Sequence, residues 1–366
     1  RIGGMVDYKA QDQTDSTVVA YNGLQPQQWR TLRDDQLQSA LLRAYGQWQY
    51  RITPKLTATA GLTGLYWALN DSWGLSPRAG LEYQLRDNLS LSAAYGLHHQ
   101  LQPLSIYMLR EETTGAQTNR DLDFSRSQHV VVGGEWSPWP NFQLRIESYY
   151  QHLDQIPVDP RPSAFSLINF GGNFDPVPRR SNLLNAGRGR NYGLELTAEK
   201  FFARHYYGLV TASFFRSEYQ GSDGVWRPTQ WDNRYVVNAL GGVEYGVGKE
   251  EGKHVLFGDF TLTVAGGVPA RPVLQEASRE QGTIVRDESV GYTEQGAYYL
   301  RLDVKGGYRL NLGPTTQEFA LFVQNATNRE NFLLDTYNPN TNSFGQISQI
   351  GLLPIFQYRL QFSAGN

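Results

Sequence analysis

The stretch YYLRLDVKGGYRLNL, residues 298–312, decides the fold. Tyr298, Leu300, Leu302, Val304, Tyr308 and Leu310 alternate with Arg301, Asp303, Lys305, Arg309 and Asn311. An extended backbone sends successive side chains to opposite faces, so a period of two builds one apolar and one charged face, whereas a helical period would scatter both classes around an axis. The pattern recurs. Leu42, Ala44, Trp48, Tyr50 and Ile52 oppose Arg43, Gln47, Gln49 and Arg51; Phe142, Leu144 and Ile146 oppose Gln143, Arg145 and Glu147; Tyr192, Leu194 and Leu196 oppose Asn191, Glu195 and Glu199. Such segments predict about fourteen strands, starting near residues 1, 37, 56, 74, 89, 124, 141, 187, 205, 233, 255, 298, 316 and 346.

Composition agrees. Tyr (22), Trp (8) and Gly (37) are abundant, a mixture that suits strands and turns. Apolar runs are only a few residues long, far short of the ~18 that a spanning helix needs, which excludes a helical membrane protein. The formal net charge of -2, without a basic face, argues against nucleic acid as a partner. The absence of cysteine excludes disulfide scaffolds and thiolate metal sites. The opening RIGGMVDYKA shows no basic stretch followed by an apolar core, so no signal peptide is read there.

The links between strands carry the next step. After even-numbered strands they are short: TPK at 53–55, RDN at 86–88, SPWPN at 137–141, FARH at 202–205, GKEEGK at 248–253 and GPTT at 313–316. After odd-numbered strands most are long and irregular, at 14–36, 103–123, 157–186, 220–232, 269–297 and 331–345. One end of the sheet is trimmed and the other carries large loops. Long alternating strands with that asymmetry predict an all-β fold, a transmembrane antiparallel up-and-down β-barrel with lipid outside, a polar lumen, tight periplasmic turns and long extracellular loops. A soluble sandwich would have shorter strands and no such division of loops. Backbone amides left unpaired in hydrocarbon cost several kcal/mol each, so a spanning sheet must close. Trp48, Tyr50, Trp136, Trp139, Tyr245 and Tyr358 then read as interfacial girdle residues.

Longer motifs point to a family. NYGLELTAEKFF (191–202), the run from Tyr206 to Lys249, YYLRLDVKGGYRLNLG (298–313), FALFVQNATNRENF (319–332) and GLLPIFQYRLQF (351–362), with GLSPRAGLEYQL (74–85) and LSAAYGLHHQLQPLSIY (91–107), resemble the TonB-dependent outer-membrane transporters, in particular the bacteroidete type. The resemblance runs from about residue 37 to residue 362, and it rests on the order and spacing of motifs that are individually weak. It implies a 22-stranded barrel filled by a plug. It also implies active import, across the bacterial outer membrane, of a scarce solute such as a metal chelate, cobalamin, a glycan or a peptide. No plug and no TonB box is read in the chain. RIGGMVDYKAQDQTDS reads as a strand rising into an extracellular loop, so the expectation is the C-terminal part of the barrel: strands and loops over residues 1–362, a short tail at 363–366, and plug and early strands elsewhere in the same transporter. By resemblance the partners are outer-membrane lipid and lipopolysaccharide, that plug, a TonB-type energising complex and the barrel-assembly machinery. Phe356, Tyr358, Leu360 and Phe362 share the apolar face of the last strand and, by resemblance, form the insertion signal. Two alternatives stand beside this: a self-contained passive pore of about fourteen strands, and an outer-membrane hydrolase with its site at the loop rim. Pairing of the first strand with the last would favour the pore.

No enzyme site, metal site or cofactor is expected. Glu111 and Glu112 are adjacent, and consecutive residues of an extended chain point apart. His98 and His99 are expected on opposite faces, one to the lumen and one to lipid or interface. Recognition is expected in loops held on a rigid scaffold. The candidates that could stack on or pair with a solute are Tyr107 and Arg110 in LSIYMLREE, Arg179 and Arg180 in PVPRRSN, Trp226 and Trp231 in GVWRPTQWDN, and Tyr292 in SVGYTEQG. Each also has an ordinary role open to it, in loop packing or lipopolysaccharide contact.

Overall fold

A computed structural model describes residues 1–19, 28–111, 114–171, 180–250 and 252–362 and, for residues 15, 17–19 and 28–34, the backbone alone. Fourteen strands form one antiparallel wall: β1 (Ile2–Val19), β2 (Gln28–Thr53), β3 (Leu56–Trp67), β4 (Ser72–Arg86), β5 (Leu89–Gln100), β6 (Ser125–Trp136), β7 (Phe142–Val158), β8 (Leu184–Ala203), β9 (Tyr206–Gln220), β10 (Tyr235–Val247), β11 (His254–Ala265), β12 (Tyr299–Asn311), β13 (Thr315–Gln324) and β14 (Leu353–Phe362). Each pairs with its sequence neighbours, and a short piece, Trp226–Pro228, adds to β9. Among the described residues β1 pairs only with β2 and β14 only with β13. The tail at 363–366 lies outside them.

Register turns alternation into two faces. Across β11, β12 and β13, Phe257 faces Gly307 and Gly307 faces Ala320, which puts Asp259, Lys305, Arg309 and Glu318 on one side. Leu256, Phe260, Val304, Phe319 and Leu321 lie on the other, and all five are exposed. On β14, Phe356, Tyr358, Leu360 and Phe362 continue the apolar side, Phe356 at 85% exposure, and Tyr358 packs against its cross-strand partner Phe319 with ring centroids 4.9 Å apart and the rings tilted by 38°. Apolar exposure on this scale would be an aggregation hazard in water and is what contact with hydrocarbon requires. Trp48, Tyr50, Trp136, Trp139, Tyr245 and Tyr358 are all exposed, and they gather at the end with the short turns. One of those turns has two residues between Ala203 and Tyr206, with Arg204 and His205 both at positive φ (54° and 74°), as a mirror-image hairpin turn demands.

Two boundaries differ from the sequence expectation. The link at 14–36 is mostly strand, because β1 and β2 stay paired beyond the wall as far as Val19 and Gln28. The last wall strand begins at Leu353, not near 346, and residues 343–348 instead pair with 332–338 in a hairpin of their own. Periodicity marks both segments as extended; it does not say which partner each meets.

The buried core sits under the loops and not inside the sheet. Leu37 and Leu41 of β2, Trp67 at the end of β3, Ile106, Tyr107, Met108, Leu109, Leu122, Phe124, Ile156, Leu167 and Leu183 form one cluster at the long-loop end. On the inner face of the wall, ion pairs replace a core. Glu318 accepts Lys305 Nζ at 3.0 Å and Arg309 Nε at 3.3 Å, and Arg309 reaches on to Glu244 at 3.2 and 3.3 Å. The Phe257 ring lies 5.2 Å from the Lys305 ammonium and 5.3 Å from the Arg309 guanidinium. It fits there because Gly307 opposite has no side chain.

Candidate functional site

The loops at the long end are built structures that hold one another. In the loop between β5 and β6, a single helical turn, Leu104–Tyr107, drops Tyr107 into the core against Trp67, with ring centroids 6.1 Å apart. Tyr107 is fully buried, and burial pushes its hydroxyl pKa well above the usual phenol value. The structure therefore gives this residue to packing and leaves it no surface to offer a solute. Asn119, also fully buried, clasps two loops: Nδ2 donates to the carbonyls of Ile106 (3.2 Å) and Arg180 (2.8 Å), and Oδ1 accepts the Leu183 amide (2.9 Å).

Arg110, next to this core, is tied to β2. Its guanidinium donates to the buried Asp35 carboxylate through Nε (2.9 and 3.1 Å) and Nη2 (2.6 Å), and Nη1 caps the Gly115 carbonyl at 2.9 Å. Half of its side chain remains exposed. Glu111 accepts Thr114 Oγ1 at 2.6 Å and Asn182 Nδ2 at 3.4 Å, a loop-ordering role; Glu112 lies outside the described residues.

A second assembly rises above β8 and β9. Trp226 lies under Arg190, whose guanidinium is 4.3 Å from its ring and also pairs with Glu218 at 2.7 Å. Asp232, wholly buried, accepts the Ser217 amide (2.8 Å) and Arg216 Nε (3.1 Å). That anchor leaves the adjacent Trp231 45% exposed. Arg227 grips Asp223 at 3.0 and 2.7 Å and donates to the Val290 carbonyl at 3.0 Å. The Arg227 guanidinium holds the Asp223 carboxyl below its usual range.

The loops at 159–171 and 266–297 meet over β9. Register places Tyr219 on the same face as Tyr207 and Ser213, toward the lumen. Its hydroxyl donates to the Ala164 carbonyl at 2.9 Å, and Gly291 lies against that hydroxyl and Arg227. Nearby, Arg180 Nη2 meets Glu288 at 2.5 Å, Arg180 Nη1 lies 3.6 Å from Asp159, and Arg271 Nη1 meets Glu288 at 3.4 Å. Arg180 lies over Phe165 (5.3 Å) and Arg271 over Tyr292 (5.5 Å). Arg180 and Tyr292, 112 positions apart by their numbers, thus belong to one cluster. Arg179 lies outside the described residues.

His98 and His99 do not part to opposite faces. Both line one cavity with Ser76 and Arg78, and Ser76 Oγ lies 2.9 Å from His99 Nδ1. The β4–β5 ladder ends at the Arg78–Gly96 pair, and Gly74, lacking a side chain, leaves room for the His99 ring. Arg190, Arg227, Arg271 and Glu288 were not singled out by sequence. Their only signal was charge within or beside a long link, which does not identify a partner.

A fourteen-stranded antiparallel wall with an apolar outer face, a charged inner face, turns at one end and interlocked loops at the other is the wall of an outer-membrane β-barrel. Residues 1–328 match the family described as TonB dependent receptor-like, beta-barrel, and the chain belongs to that family. Solved structures with similar folds include the ferric yersiniabactin uptake receptor FyuA from Yersinia pestis, at 13% identity and a TM-score of 0.62 over 99% of this chain and 51% of that one. The outer membrane transporter YddB from Escherichia coli has 12% identity and a TM-score of 0.61, with 98% and 50% covered. A ferric enterobactin receptor from Pseudomonas aeruginosa, PfeA, solved in complex with enterobactin, has 15% identity and a TM-score of 0.59, with 90% and 46% covered. The chain spans about half the length of these structures. No curated protein sequence matches it. The protein is an outer-membrane one.

Proposed function

We propose that this chain is the C-terminal part of the barrel of an active importer. In that reading a plug domain and further strands complete the barrel, and a TonB-type complex of the inner membrane supplies energy through the plug. The observation that carries it is the family match over residues 1–328. The charged inner face supports it, since Lys305, Arg309, Glu244 and Glu318 would hydrogen-bond a plug or water where a lipid-facing surface could not. The bacteroidete affiliation rests on the motifs of residues 37–362. The function is binding and transport, without covalent chemistry.

The solute would be met by groups at the rim, the exposed Trp226 and Trp231 and the half-buried Arg180 and Tyr292, with Arg110 holding the frame beside them. The structures of similar fold are named for uptake of ferric yersiniabactin and for a complex with enterobactin, so ferric chelates are the first solutes to test. The outward aromatics of β14 would serve assembly, as the surface that the barrel-assembly machinery reads in Phe356, Tyr358, Leu360 and Phe362. The test is uptake of radiolabelled ferric chelates by cells carrying the full-length gene. Accumulation that collapses with a protonophore or on loss of the TonB-type complex is the expected result. Entry that only follows the gradient and survives both would instead establish a passive pore.

A further inference from the structure

Glu288 lies between two arginines of the rim. Its carboxylate is shared by two guanidiniums from different loops, Arg180 at 2.5 Å and Arg271 at 3.4 Å. Each guanidinium is backed by an aromatic ring, Phe165 or Tyr292. Planar, ring-stacked guanidiniums converging on one point form the geometry that recognises compact oxyanions.

The two sides of the contact are held unequally. The carbonyl of Arg180 is fixed by the buried Asn119, and that of Arg271 by Arg286 Nη1 at 2.7 Å, so both arginines are positioned from behind. Glu288 is 58% exposed and belongs to a surface turn in which Asp287 Oδ1 caps the Ser289 amide. An exposed ion pair contributes little to stability, so a competitor displaces this carboxylate at small cost. The neighbouring Ala164 and Gly291 rest on the lumen-facing Tyr219, which puts the contact at the mouth of the barrel.

We infer that Arg180 and Arg271 form an oxyanion seat that the chain's own Glu288 occupies in the empty receptor, and that the imported solute presents a carboxylate that replaces it. The inference rests on the transport reading and specifies the chemistry of the solute. Replacement exchanges the link between Arg180 and the Glu288 turn for one through the solute, between Arg180 and Arg271, so occupancy and release of the Glu288 turn become one event.

The test uses the full-length protein, folded in detergent, with tricarballylate as probe and its neutral triamide as control, read by calorimetry. Glu288→Gln removes the resident charge in the same shape and should tighten tricarballylate binding by about two- to five-fold, the range that an exposed ion pair supports. The double change Arg180→Ala with Arg271→Ala should abolish binding. The charge-keeping pair Arg180→Lys with Arg271→Lys, which keeps the loops folded, should weaken it. Unchanged or weaker binding by the Glu288→Gln protein, or equal binding of the triamide, overturns the seat. No energy source enters this measurement: a failed seat in a receptor that still shows energised uptake leaves the transport reading standing, and an intact seat without energised uptake sinks that reading alone.

Discussion

Arg110 of the loop after β5 and Asp35 of β2 hold each other through three contacts of 2.6 to 3.1 Å, while the carboxylate is buried to 4% exposure and the guanidinium side chain stays 51% open. The acid, not the base, depends on the pair. Removing Arg110 strands a buried charge, whereas removing Asp35 returns an arginine to water.

Arg110→Ala should therefore loosen the extracellular part of the β1–β2 hairpin by about 1–2 kcal/mol, discounted from the usual range because the guanidinium is half solvated. Adding Asp35→Ala should restore part of the loss. Amide exchange along residues 35–41 reports both; equal effects of the two single changes would contradict the asymmetry.

Asn119 makes three hydrogen bonds with no exposure, so Asn119→Ala takes a partner from the Arg180 carbonyl and the Leu183 amide and leaves the Ile106 carbonyl to the Leu109 amide, 3.3 Å away. The expected cost is about 2–3 kcal/mol, felt in the loops rather than in the wall. Protease nicking between 103 and 123 and near 180–186 should rise several-fold while the barrel keeps its melting temperature.

Asp223 gives a pH dependence of defined sign. Its carboxyl is held below the ordinary 3.8, first by the hydrogen bond from Arg227. Its contribution is present above about pH 4 and is lost as pH falls through the depressed folded-state value. Arg227 stays charged throughout and adds no pH dependence of its own. The fluorescence difference between the wild type and Trp226→Phe should follow this loss below pH 4, and Arg227→Gln should flatten it.

Gly307 admits no side chain without cost. A Cβ there would stand 2.6 Å from the Phe319 carbonyl oxygen, part of the neighbouring strand's backbone, and would meet the Phe257 ring. Gly307→Ala should cost about 1–3 kcal/mol, lowering the temperature at which the folded barrel band disappears on a gel. Gly306, whose Cβ would meet its nearest neighbour at 4.0 Å, is the control expected to tolerate the same change.

Phe362 pairs with Thr315 at the start of β13 and is 71% exposed. If the outward aromatics serve insertion, Phe362→Ala should lower the amount of assembled barrel in the outer membrane several-fold and barely change the stability of refolded protein. An equal fall in both would assign the residue to packing.

Most of the wall was legible beforehand because one local rule governs it. The fourteen strands, their two faces and the outward row Phe356, Tyr358, Leu360 and Phe362 all follow from period two and the lengths of the links. The rule weakens at the ends of strands. Residues 343–348 are extended, yet they pair with a loop segment; His98 and His99 are consecutive on a strand, yet they share a cavity, because the pairing with β4 ends and a glycine gives way.

In the loops no period exists, and contacts there join residues far apart in the chain. Tyr107 and Arg110 are three positions apart in one segment, but the structure buries the first on Trp67 and turns the second onto Asp35. Nor could spacing show that Arg180, Arg271 and Glu288 converge. The sequence alone determined which side of each strand faces lipid, since hydrocarbon and water sort side chains one by one. Only the tertiary structure decided which charges of the rim are spent on each other and which stay open to a solute, since an ion pair depends on the distance between groups that no local rule of the chain brings together.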